Sequence, residues 1–343
     1  MVESLAPRIA AWLSARMPGW SNLSVPEIHR ISGGASRETY RIRVCFEESG
    51  TPAERRLILR RDPPTSLIET ERGVEFAAIA AFHDTDVPVP RALWLEDETA
   101  WLDRPFCVME EITGCQTDAA LLGVSPYVEL REHIGRQKWT ILGTIAAQDP
   151  QALGLTAHLQ VPALDRCWRR ELDYWEGVLD EDQLEPEPLT RAAIRRLRRR
   201  PPPPAQKLGV VHGDYRTGNF LFDPTGAIKG ILDWEMCHLG DPIEDLAWAF
   251  NPVFAGPDPG YPGRLIARAD AIAIWERTSG LRADPEALAW WELFSAVKGN
   301  AIWISAAREY AEGRNRDPIQ IAAGWFVKDL QDRFLPAQLE AMP

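Results

Sequence analysis

Residues 208–250 read LGVVHGDYRTGNFLFDPTGAIKGILDWEMCHLGDPIEDLAWAF. The stretch opens on an apolar run, Leu208 to Val211, that turns into His212-Gly213-Asp214, with Asn219 five residues past the Asp. A second β-type run, Ile228 to Leu232, delivers Asp233, fourteen residues beyond the Asn. Short apolar runs bounded by Gly, Asp and Asn predict strands joined by turns. Asp, Asn and Gly are ordinary turn residues, so any one of them alone is read as a turn. Two carboxylates and an amide, each set beside an apolar strand, are harder to explain that way. A loop lets backbone bend freely, and a strand end holds a side chain in a fixed place.

This order resembles that of protein kinases, which use a loop Asp, an Asn five residues on and a metal-binding Asp by the next strand pair. The wording HGDYRTGNFL…ILDWE is closer to the aminoglycoside phosphotransferase and choline kinase-like family than to H-R-D and D-F-G. Within that family it looks most like the branch whose kinase-like domain also occurs fused to acyl-CoA dehydrogenases. The resemblance covers nearly the whole chain and is most specific over 212–245. It implies an α+β, bilobal protein-kinase-like fold that binds ATP and Mg²⁺ in a cleft between lobes. The expected small antiparallel-sheet lobe is 1–112, and the mostly helical lobe with the catalytic loop is 113–343. Asp214 is then the catalytic group beside a substrate hydroxyl, and Asn219 and Asp233 are the metal ligands. His212 is expected to brace the loop, and Arg216 to touch phosphate or an anionic substrate. Asp241 and Asp245, in the G-D-P…D-L-A pattern, are expected to support the loop from a helix start.

Upstream, residues 4–17 carry apolar side chains at helical spacing. Glu27 to Ile31 and Glu38 to Phe46 predict two strands around Ser32-Gly33-Gly34-Ala35-Ser36. Small residues let backbone N–H groups approach phosphate oxygens, although Gly-Gly between strands is commonly a plain hairpin turn. The resemblance assigns Gly33, Gly34, Ala35 and Ser36 to the nucleotide. The next strand, 56–60, ends on Arg60, where the family usually has a Lys; Arg keeps the charge but is larger and forked. Helix 67–83 carries Glu75 as the expected partner of that base, with Glu71 one turn earlier as its competitor. Strands over 91–95 and 101–109 lead into 109–114, where the resemblance places backbone contacts to adenine at Glu110 and Ile112. Helices are predicted over 125–148, 166–180, 187–200 and much of 261–337. Lys298, Asn300 and Trp303 are candidates for the wall of an acceptor pocket.

The 343 residues suffice for one large or two medium domains, and 50 acidic against 38 basic residues leave a net charge of −12. That balance argues against nucleic acid or an anionic membrane as partner. The basic run at 195–200 reads as a solvated helix end. No apolar run approaches 18 residues and the N-terminus has no signal-peptide pattern, so a cytoplasmic protein is expected. Five scattered cysteines predict reduced core thiols. The expected enzyme is a small-molecule kinase with a small alcohol as acceptor: first a hydroxylated metabolite such as a hydroxyacyl compound, second an aminoglycoside or other antibiotic. A nucleotide-binding pseudokinase acting through protein partners is the reading from another class. The sequence fixes no oligomeric state.

Overall fold

The computed structural model describes residues 5–31, 37–62, 72–117, 119–256 and 258–342. The turn holding Gly33, Gly34, Ala35 and Ser36 lies outside the described residues, as does Glu71.

The N-terminal part is helix α1 (Leu5–Arg16), strands β1 (Trp20–Ile31), β2 (Glu38–Glu48) and β3 (Thr51–Arg61), helix α2 (Arg72–Phe82), strand β4 (Ala92–Glu96), a short helix α3 (Thr99–Leu102) and β5 (Phe106–Glu110). The strands form one antiparallel sheet in the order β1-β2-β3-β5-β4. Strand alternation sets its faces: Tyr40, Ile42, Val44 and Phe46 of β2 are buried. Leu5, Ile9, Trp12 and Leu13 of α1, at helical spacing, join them in one core. Within it Trp12 meets Phe106 edge-on at 4.8 Å.

Two expectations shift here. β1 begins at Trp20 rather than Glu27; its register slips between Ser21 and Glu27, and an edge strand tolerates such irregularity and Pro26. The strand expected over 101–109 begins only at Phe106. Trp101 belongs to α3, which ends at Asp103 in the left-handed conformation (φ 67°), one that Asp tolerates better than most residues.

The remainder is mostly helical: α4 (Arg131–Ala147), α5 (Cys167–Asp182), α6 (Pro188–Arg199), α7 (Ile243–Ala249), α8 (Pro252–Ala255), α9 (Arg268–Ser279), α10 (Pro285–Ala311), α11 (Pro318–Ala322) and α12 (Lys328–Ala341). The 27-residue α10 is buried along most of its length and packs on α5, α6, α7 and α12. No helix among the described residues is long and apolar enough to cross a membrane. Between α6 and α7 lie two small antiparallel pairs, β6 (Gly209–Val211) with β9 (His238–Gly240) and β7 (Phe220–Phe222) with β8 (Ile228–Ile231). Their connections, 212–219 and 232–237, face the sheet across the junction of the two parts, giving a bilobal α+β architecture.

Candidate active site

The 212–219 loop is held by buried hydrogen bonds. Gly213 has φ +86°, and a Cβ there would stand 2.4 Å from the Met236 carbonyl oxygen, so only glycine fits. Asp245, buried at the start of α7, accepts the backbone N–H groups of His212 (2.6 Å) and Gly213 (2.9 Å). The fully buried His212 ring accepts the Asp214 N–H at Nδ1 (3.1 Å) and meets the Leu232 carbonyl at Nε2 (2.9 Å). One acceptor and one donor nitrogen make this the neutral tautomer. Burial pushes the imidazole pKa down, against the pull of Asp245 and Asp214. His212 thus ties the loop to the strand end that carries Asp233.

Asp214 receives four N–H contacts. The Trp248 indole donates to Oδ1 (2.9 Å), the Asn219 amide to Oδ2 (2.8 Å), and the Arg216 Nε sits 3.1 Å from both oxygens. Asn219 also donates to the Asp214 carbonyl (2.9 Å), and its own carbonyl accepts the Leu232 N–H (2.8 Å). Asp233 follows at once, in the left-handed conformation (φ 68°, ψ 54°), a costly backbone state for a non-glycine residue that is found mostly at functional sites.

Arg60 reaches this point from β3. One guanidinium nitrogen binds the fully buried Glu75 of α2, and the other donates to Asp233 Oδ1 at 3.1 Å. Arg37 holds the second Glu75 oxygen (3.1 Å) and pairs with Asp62. Burial pushes the Asp233 carboxyl pKa up, but the charge and hydrogen bond of Arg60, helped by Arg216, hold it below the usual carboxylate range. Glu110 ends β5, its N–H donating to the Arg91 carbonyl (2.9 Å). Ile112 Cδ1 lies 2.7 Å from where a Cβ on Gly230 would stand, so this glycine lets the segment after the sheet close onto β8. Asn219 spends its amide nitrogen on Asp214, which leaves its side-chain oxygen as an oxygen donor along with the Asp233 carboxylate. These donors fit a hard divalent cation such as Mg²⁺, which takes one or two side-chain oxygens with phosphate and water.

Trp248 carries no sequence signal of its role, and Lys298, expected at the wall of the acceptor pocket, also anchors the loop. Trp248 is the indole on Asp214. Lys298, buried on α10, donates to the Gly213 carbonyl (2.8 Å) and to Glu244 (3.1 Å), with its ammonium 4.9 Å from the centre of the Trp248 ring. Lys298 also lines a cavity of about 390 Å³ beside the loop. Asn300 does not: it binds Thr190 and Asp332 inside the helical core. Trp303 packs near Phe254 instead.

Residues 27–281 match the phosphotransferase enzyme family. Among curated relatives, acyl-CoA dehydrogenase family member 10 of Mus musculus is 30% identical over 65% of this chain and 20% of the relative. The probable acyl-CoA dehydrogenase IBR3 of Arabidopsis thaliana is 29% identical over 67% and 28%. The chain therefore spans less than a third of these relatives' length. Viomycin phosphotransferase of Streptomyces vinaceus is 28% identical over 52% of this chain and 61% of its own. A Ralstonia eutropha crystal structure described as an aminoglycoside phosphotransferase superposes with TM-score 0.74 at 22% identity, covering 98% and 97% of the two chains. A thermostable mutant of aminoglycoside phosphotransferase APH(4)-Ia, bound to AMP-PNP and hygromycin B, gives 0.59 at 16% identity over 98% and 99%. With three quarters of its length inside the family match, the chain belongs to the phosphotransferase enzyme family, the group of small-molecule kinases.

Proposed function

We propose that the chain moves the γ-phosphoryl group of ATP to a hydroxyl of a small molecule, with Mg²⁺ as the bound cation. The observation that carries this is one continuous run of bonds: Asp214 to Asn219, Asn219 to Leu232, and Asp233 to Arg60. Residues 1–112 serve the nucleotide and 113–343 the acceptor. The AMP-PNP in the APH(4)-Ia complex supports nucleotide use.

Asp214 orients the acceptor hydroxyl and takes its proton as the oxygen attacks phosphorus. Its two oxygens offer about four lone-pair sites. Those sites are filled by Trp248, Asn219 and the two Arg216 contacts. Trp248 and Asn219 are buried, whereas Arg216 is a third exposed, so Arg216 is the donor that yields its place to the hydroxyl. Asn219 and Asp233 hold the Mg²⁺, which when bound neutralises phosphate charge. Arg60 adds a fixed positive charge on the phosphate side, and Glu75 keeps its fork aimed. Backbone at Glu110 and Ile112 meets the adenine. Positioning and charge neutralisation, rather than covalent chemistry, lower the barrier.

A hydroxylated metabolite such as a hydroxyacyl compound ranks first as acceptor, in line with the acyl-CoA dehydrogenase relatives. The viomycin phosphotransferase relative supports the antibiotic alternative. The test is acceptor-dependent ADP release with Mg²⁺ in wild type and Asp214→Asn. A drop in kcat of about 10²–10⁴-fold, with nucleotide binding kept, is the expected result. Unchanged turnover would sink the reading and favour a non-catalytic nucleotide-binding role.

A further inference from the structure

The 390 Å³ cavity borders the 232–237 segment of the active site, whose Glu235, Met236 and Cys237 line it. Glu235, two residues past Asp233, forms part of its wall, and Lys298 reaches from it to the Gly213 carbonyl. Apolar and aromatic side chains, among them Leu159, Trp175 and Met236, supply much of the rest. The volume suits a small organic molecule.

The charges around it are already matched in pairs. Glu171 is bound by Arg170 at 2.7 Å. Glu244, just behind the wall, is bound by Lys298 and His238, each at 3.1 Å. Glu235 lies 3.9 Å from both Arg37 and Arg60. Burial would lower the His238 pKa, but Glu171 and Glu244 outweigh it and raise it. The ring Nδ1 meets the Met236 carbonyl at 3.0 Å, which turns Nε2 toward those two carboxylates. Binding an ammonium group here would mean displacing the part-exposed Arg170 or His238, or the buried Lys298, from the carboxylate it holds, and for Lys298 that would leave a buried charge without its partner.

We propose that this cavity is the acceptor site and selects alcohols that carry no cationic group, with an apolar or aromatic body lying against Trp175 and Leu159. This rests on the phosphotransferase reading above, and it separates the two acceptor classes: a polycationic aminoglycoside is the wrong ligand for a pocket whose carboxylates are all paired among the described residues.

The test uses two probes of equal size, hydroxybutyl benzamide and hydroxybutyl benzylamine, titrated calorimetrically into the wild-type chain. The amide should bind at least about tenfold more tightly than the amine. Leu159→Trp, which fills the cavity from a half-exposed position, should abolish amide binding while leaving ATP binding intact. Arg170→Gln, which releases Glu171, should move the amide-to-amine ratio about tenfold toward the amine. Equal or tighter binding of the amine, no binding of either probe, amide binding that survives Leu159→Trp, or an unmoved ratio in Arg170→Gln would each overturn the proposal. Because binding needs no turnover, these outcomes are independent of Asp214→Asn: a variant that keeps full turnover would refute the kinase reading while leaving the pocket result standing.

Discussion

The two carboxylates that meet at the cleft are held in opposite ways. Asp214 has two buried neutral donors, the Trp248 indole and the Asn219 amide, beside the part-exposed Arg216, on a loop whose backbone is pinned by Asp245 and the neutral His212. Asp233 is fixed by charge: Arg60, itself shared with Glu75, in a cluster with Arg37 and Glu235. Neutral hydrogen bonds enforce distance and angle and have no other use for their donors. Ion pairs can be redistributed when another charge arrives. A group that accepts a proton needs the first kind of support, and a group facing a cation and phosphates needs the second.

The hardest blow to this contrast falls on the loop anchor. Asp245→Asn replaces one of two acceptor oxygens with an NH₂ group pointing at a backbone N–H. With one buried donor left unsatisfied, about 2–4 kcal/mol of stability should be lost, with turnover falling alongside. Urea titration followed by Trp fluorescence checks it. An unchanged midpoint would mean that the loop is held elsewhere.

On the charged side the effect should be smaller and of another kind. Arg60→Lys keeps the charge but cannot span Glu75 and Asp233 with one planar fork. The expected result is about a tenfold rise in the nucleotide KM, about 1.4 kcal/mol, with the melting temperature little changed. A large loss of stability instead would show that this cluster, too, is structural scaffolding.

The same contrast explains what could be seen in the sequence. Asp214, Asn219 and Asp233 lie in the connections of adjacent short strands within twenty residues, so local β pattern and turn chemistry were enough to bring them together. Arg60 and Glu75 were legible through the family resemblance, which sets a base at this strand end and its acidic partner on the next helix, whereas the helix face alone left Glu71 as a competitor. The Trp248 contact and the Lys298 bond to the loop were not: these residues sit 34 beyond Asp214 and 85 beyond Gly213, and only the packing of α7 and α10 brings them in. The first seven residues of β1 were hidden for a different reason, because Asn22 and Pro26 punctuate a stretch that an irregular edge strand accommodates.

Trp248→Phe sharpens the loop side further. The ring volume is largely kept, and one hydrogen bond to a carboxylate is lost. A fall in kcat of about tenfold is expected, consistent with the value of a bond to a charged group, with the nucleotide KM unmoved. A shift in KM alone would detach Trp248 from Asp214 and assign it to binding.

The smallest effect concerns Asp241, which like Asp245 is pushed up in pKa by burial but holds no backbone N–H of the catalytic loop. It is buried and accepts the Ile243 N–H and the Trp291 indole N–H, both at 3.1 Å. Burial pushes its pKa up from the usual 3.8 to about 6. A carboxyl with a raised folded-state pKa binds its proton more tightly when folded. Its favourable contribution is therefore fully present below about pH 4 and is lost as pH rises through about 6, a difference of about 2–3 kcal/mol. Asp241→Asn removes the charge at the cost of one hydrogen bond. Near pH 8 it should match wild type within about 1 kcal/mol, and near pH 4 it should be the less stable of the two by about 1–2 kcal/mol. Urea midpoints across that range read the crossing directly. If instead Asp241→Asn is as damaging at pH 8 as Asp245→Asn, then both carboxylates are anchors of the site.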